Sequence, residues 1–136
     1  MKLMLDTNTC IDLIRRHPRS VLERFASHAV GDIGISVMTL AELEYGVSRS
    51  SRPARNRVAL DQFISPLDVA PFDRQATASY GRLRAALDKK GQSIGSMDLL
   101  IAAHAISLGV RLITHNVREF RRVSGLLVED WASPEP

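Results

Sequence analysis

Cysteine is almost absent from this chain. Among its 136 residues Cys10 is the only cysteine, so no disulfide can form within the chain. Zinc sites built on several cysteines are excluded for the same reason. A single unpaired thiol fits a reducing compartment, and the expected location is therefore the cytoplasm.

Long apolar runs and aromatic residues are also scarce. No stretch approaches the roughly 20 apolar residues of a membrane helix, and the apolar run before Asp6 is too short for a secretory signal. No membrane contact is therefore expected. Aromatic residues make up only 5% of the chain, which argues against a broad platform for stacking nucleic-acid bases. The formal net charge of +3 is by itself weak evidence for a nucleic-acid partner.

What is present is an alternation of strand-like and helix-like segments. Hydrophobic residues make up 45% of the chain, which suits one packed domain, predicted over residues 1–131 with a frayed tail at 132–136. The predicted strands are Lys2–Leu5, Ile33–Val37, Leu67–Ala70, Val110–Thr114 and Leu126–Glu129. The predicted helices are Thr7–Arg16, Arg19–Ala29, Thr39–Val47, Ala54–Ile64, Arg74–Lys89, Met97–Leu108 and a turn at Val117–Arg122. This alternation predicts an α/β fold with a mostly parallel sheet covered on both faces.

Polar side chains stand where the predicted strands end or helices begin. Asp6 ends the first strand, Glu42 is placed in the first turn of the helix after the second strand, and Asp98 opens a later helix. Asn116 and Glu119 follow the fourth strand. In a doubly wound sheet these points can gather over one crevice. Clustered carboxylates repel one another, and a divalent cation relieves that repulsion; an oxygen-only ligand set favours Mg²⁺ or Mn²⁺ over zinc.

Each of these residues also has a local explanation. Thr39 to Glu42 fits a capping box, which for Glu42 alone is the better explanation. Asp98 suits the positive end of a helix dipole, Asp6 could cap the first helix, and Asn116 could form an Asx turn. Their joint placement at the ends of different elements is what favours a shared site.

Four sequence blocks in order carry a family resemblance over essentially the full length of the chain. They are Leu5-Asp6-Thr7-Asn8, Glu42–Gly46, Asp98–Ala105 and Thr114–Phe120. With these blocks the chain resembles the PIN-domain family, and within it the VapC-like ribonuclease toxins of type II toxin–antitoxin systems. The resemblance implies a three-layer α/β/α fold with a mostly parallel central sheet.

The resemblance also implies roles for individual acids. Asp6, Glu42 and Asp98 match the three family acids that carry catalysis and hold the metal ion. The fourth family position is often Asp and is Asn116 here, which puts a second metal ion in doubt. Either Asn116 binds through its carbonyl or a water, or Glu119 supplies the missing charge.

Three neighbouring polar residues are expected to support the metal ligands. Thr7 and Asn8 are expected to orient Asp6 by hydrogen bonds, and Thr114 is included in the same supporting group.

The implied function is a Mg²⁺- or Mn²⁺-dependent endoribonuclease toxin that inhibits translation and is held inactive by a cognate antitoxin, with a homodimer expected. Overall resemblance is nearest to members that cut the anticodon stem-loop of initiator tRNA. Two alternatives stay open at this point. A phosphatase that forms an aspartyl phosphate on Asp6 would want a second carboxylate at position 8, which is Asn8. A PIN-like module that only binds RNA or protein would lack metal-dependent cleavage.

Overall fold

The structure, a computed structural model, describes residues 1–133 and contains one parallel sheet in that range. Its strands are β1 (Leu3–Leu5), β2 (Ile33–Ser36), β3 (Asp68–Ala70), β4 (Arg111–Ile113) and β5 (Val128–Glu129). They pair in the order β3-β2-β1-β4-β5, and every pairing is parallel. The central strand β1 is buried on both faces, which explains its uninterrupted apolar sequence.

Helices cover both faces of this sheet, as the sequence predicted. Those in the described range are α1 (Thr7–Arg15), α2 (Arg19–Ala26), α3 (Val37–Arg49), α4 (Pro53–Ile64), α5 (Arg74–Lys89), α6 (Ser96–Leu108) and α7 (Val117–Phe120), with a 3₁₀ turn at Val30–Asp32. Helices α1 to α4 pack on one face with Leu3 and Leu5 of β1. Helices α5 to α7 pack on the other face with Met4, because successive strand residues point to opposite sides. The three-layer α/β/α architecture is confirmed.

The order in which strands are added to the sheet changes side at β1. Strands β2 and β3 lie on one side of β1, and the chain then returns to place β4 and β5 on the other. Strands β1 and β4 are neighbours, yet α1 follows β1 on one face and α7 follows β4 on the other. Neighbouring strands whose following helices leave to opposite faces open a crevice at their carboxyl ends. Asp6 is the residue after β1, and its backbone N–H donates to the Ile113 carbonyl at the end of β4 over 3.0 Å. The crevice therefore begins at Asp6.

Four predicted helix boundaries were wrong by two or three residues: both ends of α3 and the C-terminal ends of α2 and α7. The start of α3 matters for the site. The strand β2 ends at Ser36, whose hydroxyl accepts from the Met38 N–H and so starts α3 two residues before the predicted Thr39. Glu42 therefore lies in the second turn and not in the first. Thr39 is buried and its hydroxyl has no hydrogen-bond partner among the described residues, so the capping box is not formed. The predicted helix Arg19–Ala29 ends at Ala26.

Hydrogen bonds hold the described part of the C-terminal tail. Of the predicted frayed tail, residues 134–136 lie outside the described residues. Ala132 N–H and the Ser133 hydroxyl both donate to the Asp130 carboxylate, at 2.9 and 3.0 Å. Across residues 1–133, no helix combines the length and apolar character needed to cross a membrane.

Candidate active site

Asp6 is the buried acid at the base of the crevice. It caps α1, and its carboxylate accepts from the Thr9 N–H at 2.9 Å and from the Thr114 hydroxyl at 2.5 Å. Only 4% of the residue is exposed. Burial raises the pKa of Asp6, and the hydrogen bonds from Thr114 and Thr9, with the nearby charge of His115, oppose that rise. The cap and the site acid are thus the same residue.

Glu42 reaches the crevice from α3. It is half-buried, and the Thr7 hydroxyl at the start of α1 donates a hydrogen bond to Glu42 Oε1. The partner of Thr7 is therefore Glu42, whereas the sequence had suggested Asp6. Asn8 is exposed and its side chain has no hydrogen bond to the described part of the chain. Of the three expected supporting residues, Thr114 is the one that contacts Asp6.

Asp98 joins the cluster from the first turn of α6. It is half-buried, and burial together with the charges of Glu119, Asp6 and Glu42 raises its pKa to about 6. Each of those three acids contributes to the shift, so all three lie within electrostatic range of Asp98. The structure brings together the acids that the sequence placed on four different elements.

Asn116 and Glu119 form the far side of the crevice. The Asn116 side-chain amide donates to Glu119 Oε2 at 2.5 Å, and the Gly95 N–H donates to Glu119 Oε1 at 2.8 Å. A Cβ added at Gly95 would lie 3.7 Å from Asp98 Oδ2 and 3.9 Å from Glu119 Oε1. The two carboxylates therefore border the same glycine, with Glu119 holding the loop that precedes α6.

The donor chemistry fits a hard divalent cation. All the candidate ligands offer oxygen, and the pKa of Asp98 is raised first by burial and then by the charges of Glu119, Asp6 and Glu42, both of which a bound cation would offset. Within residues 1–133 no three His, Cys, Asp or Glu side chains already surround one point as metal ligands. The site thus supplies the right oxygens and an unmet need for positive charge, without a preformed cage.

Sequence reasoning missed a second layer of contacts behind Asp6. His115 bridges two carboxylates: its Nδ1 lies 2.7 Å from Asp130 Oδ1, and its Nε2 hydrogen-bonds Asp12 on α1. Burial alone would lower the pKa of His115, but the hydrogen bonds that its ring donates to the Asp130 and Asp12 carboxylates, with their charges, outweigh burial and raise that pKa. The sequence placed His115 beside the site, but nothing in it identified Asp12 or Asp130 as partners.

Comparisons with known proteins identify the family. The PIN domain profile matches residues 3–126. The tRNA(fMet)-specific endonuclease VapC of Shigella flexneri is 45% identical over 132 residues, which cover 97% of this chain and 99% of that protein. Ribonuclease VapC2 of Rickettsia felis is 44% identical over 132 residues, covering 96% of this chain and 98% of the relative.

Solved structures share the same fold. The crystal structure of DNA-bound VapBC from Salmonella typhimurium contains a chain that matches with a TM-score of 0.92 and 44% identity, covering 96% of this chain and 98% of that one. A chain in the crystal structure of VapBC2 from Rickettsia felis, bound to a DNA fragment from their promoter, matches with a TM-score of 0.87 and 44% identity, covering 96% and 99%.

These relatives also decide between the functional alternatives. They are named ribonucleases, so the phosphatase alternative finds no support among them. Ribonucleases with this domain generally depend on divalent metal ions, in agreement with the oxygen-rich crevice. The chain belongs to the PIN-domain family, and within that family to the VapC ribonucleases.

Proposed function

We propose that this chain is a Mg²⁺- or Mn²⁺-dependent endoribonuclease toxin that acts on tRNA in the cytoplasm and is neutralised by a cognate antitoxin. The observation that carries the proposal is the convergence of Asp6, Glu42 and Glu119 on Asp98 at one crevice, where burial and the charges of these three acids raise the pKa of Asp98. Such a crevice repels an RNA phosphate unless a cation is present, so metal binding and substrate binding are coupled.

The proposed ion ligands are the carboxylates of Asp6, Asp98 and Glu42, with Asn116 or Glu119 as the further ligand. Their oxygen chemistry, with no thiolate in the set, favours Mg²⁺ or Mn²⁺. When bound, the ion lowers the pKa of a water and offsets charge on the phosphate that the water attacks. Attack by water predicts products with a 5′-phosphate and a 3′-hydroxyl.

The chain's own contribution is to hold these acids in place before the substrate arrives. Thr9 and Thr114 fix the Asp6 carboxylate from two sides, and Thr7 fixes Glu42. Glu119 anchors the loop that carries Gly95 next to Asp98. Fixed donors of this kind avoid the cost of reorganising the site during the reaction.

We propose the anticodon stem-loop of initiator tRNA as the substrate. Support comes from the 45% identity to a tRNA(fMet)-specific endonuclease over nearly the whole chain. The test is to incubate purified protein with initiator tRNA and with elongator tRNAs, with and without Mg²⁺, and to map the new ends. Asp98→Asn should reduce cleavage by about a hundredfold or more, whereas Asp88→Asn, an exposed acid on α5, should not. Metal-independent cleavage would contradict the mechanism, and absence of cleavage would favour a module that only binds RNA or protein.

The antitoxin proposal is supported by the similarity to chains of the VapBC structures, and by VapBC-5 of Mycobacterium tuberculosis, a member of the VapBC family of toxin–antitoxin systems. A groove of about 420 Å³ runs between α1, α3 and α4 and is lined at one end by Glu42. A partner segment in this groove could present an Arg to the acid crevice. Co-expression of this chain with its antitoxin should abolish RNA cleavage. Measuring the molecular mass of the free protein in solution tests the expected homodimer.

A further inference from the structure

A basic hollow lies beside the acid crevice. It has a volume of about 460 Å³ and is lined by Lys90, Gln92, Arg118, Arg121, Arg122 and Ser124, with no acidic residue among them. A smaller hollow of about 230 Å³ adjoins it, shares Lys90, Arg122 and Ser124, and adds Arg82. Positive charge therefore continues from α7 across to the exposed side of α5.

The cations of this basic hollow lack the carboxylate partners that some other cations on the described surface have. Arg19, Arg57 and Arg111 each form an ion pair with a carboxylate. Lys90, Arg118, Arg121 and Arg122 are exposed and form no ion pair with residues 1–133; Arg122 donates instead to the Ser93 carbonyl at 2.8 Å. Unpaired like charges around one hollow repel one another, and an anionic ligand removes that repulsion.

The basic hollow and the acid crevice are built on the same two segments. Helix α7 carries Glu119, which faces Asp98, and its neighbour Arg118 lines the basic hollow. The loop at 90–95 begins with Lys90 in the basic hollow and ends with Gly95 at the crevice. Arg118 and Glu119 are consecutive residues of α7, so the basic hollow and the acid crevice adjoin each other.

We propose that the basic hollow binds backbone phosphates of the RNA that flank the bond that is cut; this rests on the proposed ribonuclease function. Its lining of Lys, Arg, Ser and Gln side chains is typical of contacts to phosphate, and no aromatic residue is present to stack a base. The acid crevice repels RNA, and adjacent fixed positive charge offsets that repulsion where the strand must lie. An acidic peptide would meet the same cations but has no need for a metal-binding crevice beside them.

The test measures RNA binding separately from cleavage. Binding of labelled initiator tRNA to protein carrying Asp98→Asn is followed from about 50 to 200 mM salt, with Lys90→Gln/Arg121→Gln added. Loss of two phosphate contacts should make the slope of log K against log salt shallower by roughly 1.4 to 1.8 and weaken binding at least about tenfold. In otherwise native protein the same pair should raise KM far more than it lowers kcat.

The matched control is Arg52→Gln/Arg55→Gln, which removes two exposed cations from the N-terminal end of α4, on the opposite layer of the sheet. Its salt slope should equal that of the parent. Equal slopes for the two double variants would overturn the proposal. Binding of polyglutamate, an acidic peptide, is measured on the same variants. If Lys90→Gln/Arg121→Gln lost polyglutamate binding but bound tRNA as the parent does, that result would also overturn the proposal. If the native protein cuts no RNA but the slopes differ as expected, the basic hollow stands and the proposed function fails. Thermal melting of each variant shows that it is folded.

Discussion

Two aspartates of the crevice differ because their surroundings differ. Asp6 is nearly fully buried, yet its carboxylate is met by a backbone N–H and a hydroxyl. Asp98 is less buried, but it faces three other acids and its pKa is raised to about 6. Burial raises the pKa of both carboxyl groups, but hydrogen bonds oppose the rise at Asp6, whereas the charges of neighbouring acids add to it at Asp98. Asp98 is the first place to look for effects of metal and pH.

The stability of the metal-free protein should depend on pH through Asp98. Its folded pKa of about 6 lies above the unfolded value of about 3.9, so the folded state binds more protons between these values. Stability should therefore fall as pH rises from about 4 to 6. Above pH 6 the free energy of unfolding should be lower by about 1–2 kcal/mol, a figure that allows for the partial exposure of Asp98.

Thermal melting in EDTA at several pH values checks this expectation. Asp98→Asn should melt several degrees higher than the native protein at about pH 8 and nearly the same at about pH 4. Asp88→Asn provides the control for loss of one carboxylate from an exposed position. A stabilisation by Asp98→Asn that did not change with pH would contradict the assigned cause.

Thr114→Val tests the hydrogen bond that opposes the raised pKa of Asp6. The Thr114 hydroxyl donates to Asp6 Oδ2 and accepts from the Asn116 N–H at 3.0 Å, so valine removes a partner from a buried carboxylate oxygen and from a half-buried N–H. The expected loss of stability is about 1–3 kcal/mol. The pKa of Asp6 should rise, moving the acidic limb of the pH profile of kcat/KM to higher pH, while Thr114→Ser should restore it. An unchanged limb in the valine variant would contradict this role.

At the scale of single residues, the sequence pointed to the acids of the crevice more clearly than to the residues that hydrogen-bond them. Asp6 and Asp98 are visible because each stands at the end of an element, where a sheet places its crevice. The supporting contacts depend on distances between elements. Thr7 meets Glu42 across 35 positions of sequence, and His115 meets Asp12 across 103. Local pattern carries no information on such pairs.

At the scale of elements, the start of α3 shows where local pattern misleads. Ser36 is both the last residue of β2 and the cap of α3, so the apolar Val37 that follows it reads as a continuation of the strand. Because α3 starts two residues earlier than predicted, Glu42 lies in its second turn, where its carboxylate accepts a hydrogen bond from Thr7. By contrast, α5 was predicted at its observed bounds, since its buried residues recur at helical spacing.

The short helix α7 offers a test of the fourth ligand. Asn116 precedes it and donates to Glu119, so Asn116→Asp replaces that hydrogen bond with two carboxylates in contact. Without metal this should cost about 1–3 kcal/mol of stability, and more than Asn116→Ala, which adds no charge. Mg²⁺ should stabilise the aspartate variant more than the native protein. Equal melting of Asn116→Asp and Asn116→Ala in EDTA would contradict this arrangement.

At the scale of the whole molecule, the sequence predicted the layers but not the strand order. Alternating strands and helices indicate a parallel sheet covered on both sides. They do not indicate that the chain returns past β1 after β3 and places β4 beside it. That return puts α1 and α7 on opposite faces and opens the crevice between Asp6 and Asn116. The site is therefore a property of the topology as much as of its acids.

Because the four acids come from α1, α3, α6 and α7, an ion held between them should stabilise the whole fold. At about ten times its dissociation constant, Mg²⁺ should add about 1.4 kcal/mol and raise the melting temperature by several degrees. Asp98→Asn should reduce this response because it removes a ligand charge, whereas Asp88→Asn should respond like the native protein. Melting curves of the three proteins, in EDTA and across a Mg²⁺ titration, measure the difference. Equal responses of the native and Asp98→Asn proteins would show that Asp98 does not share the ion with the other acids.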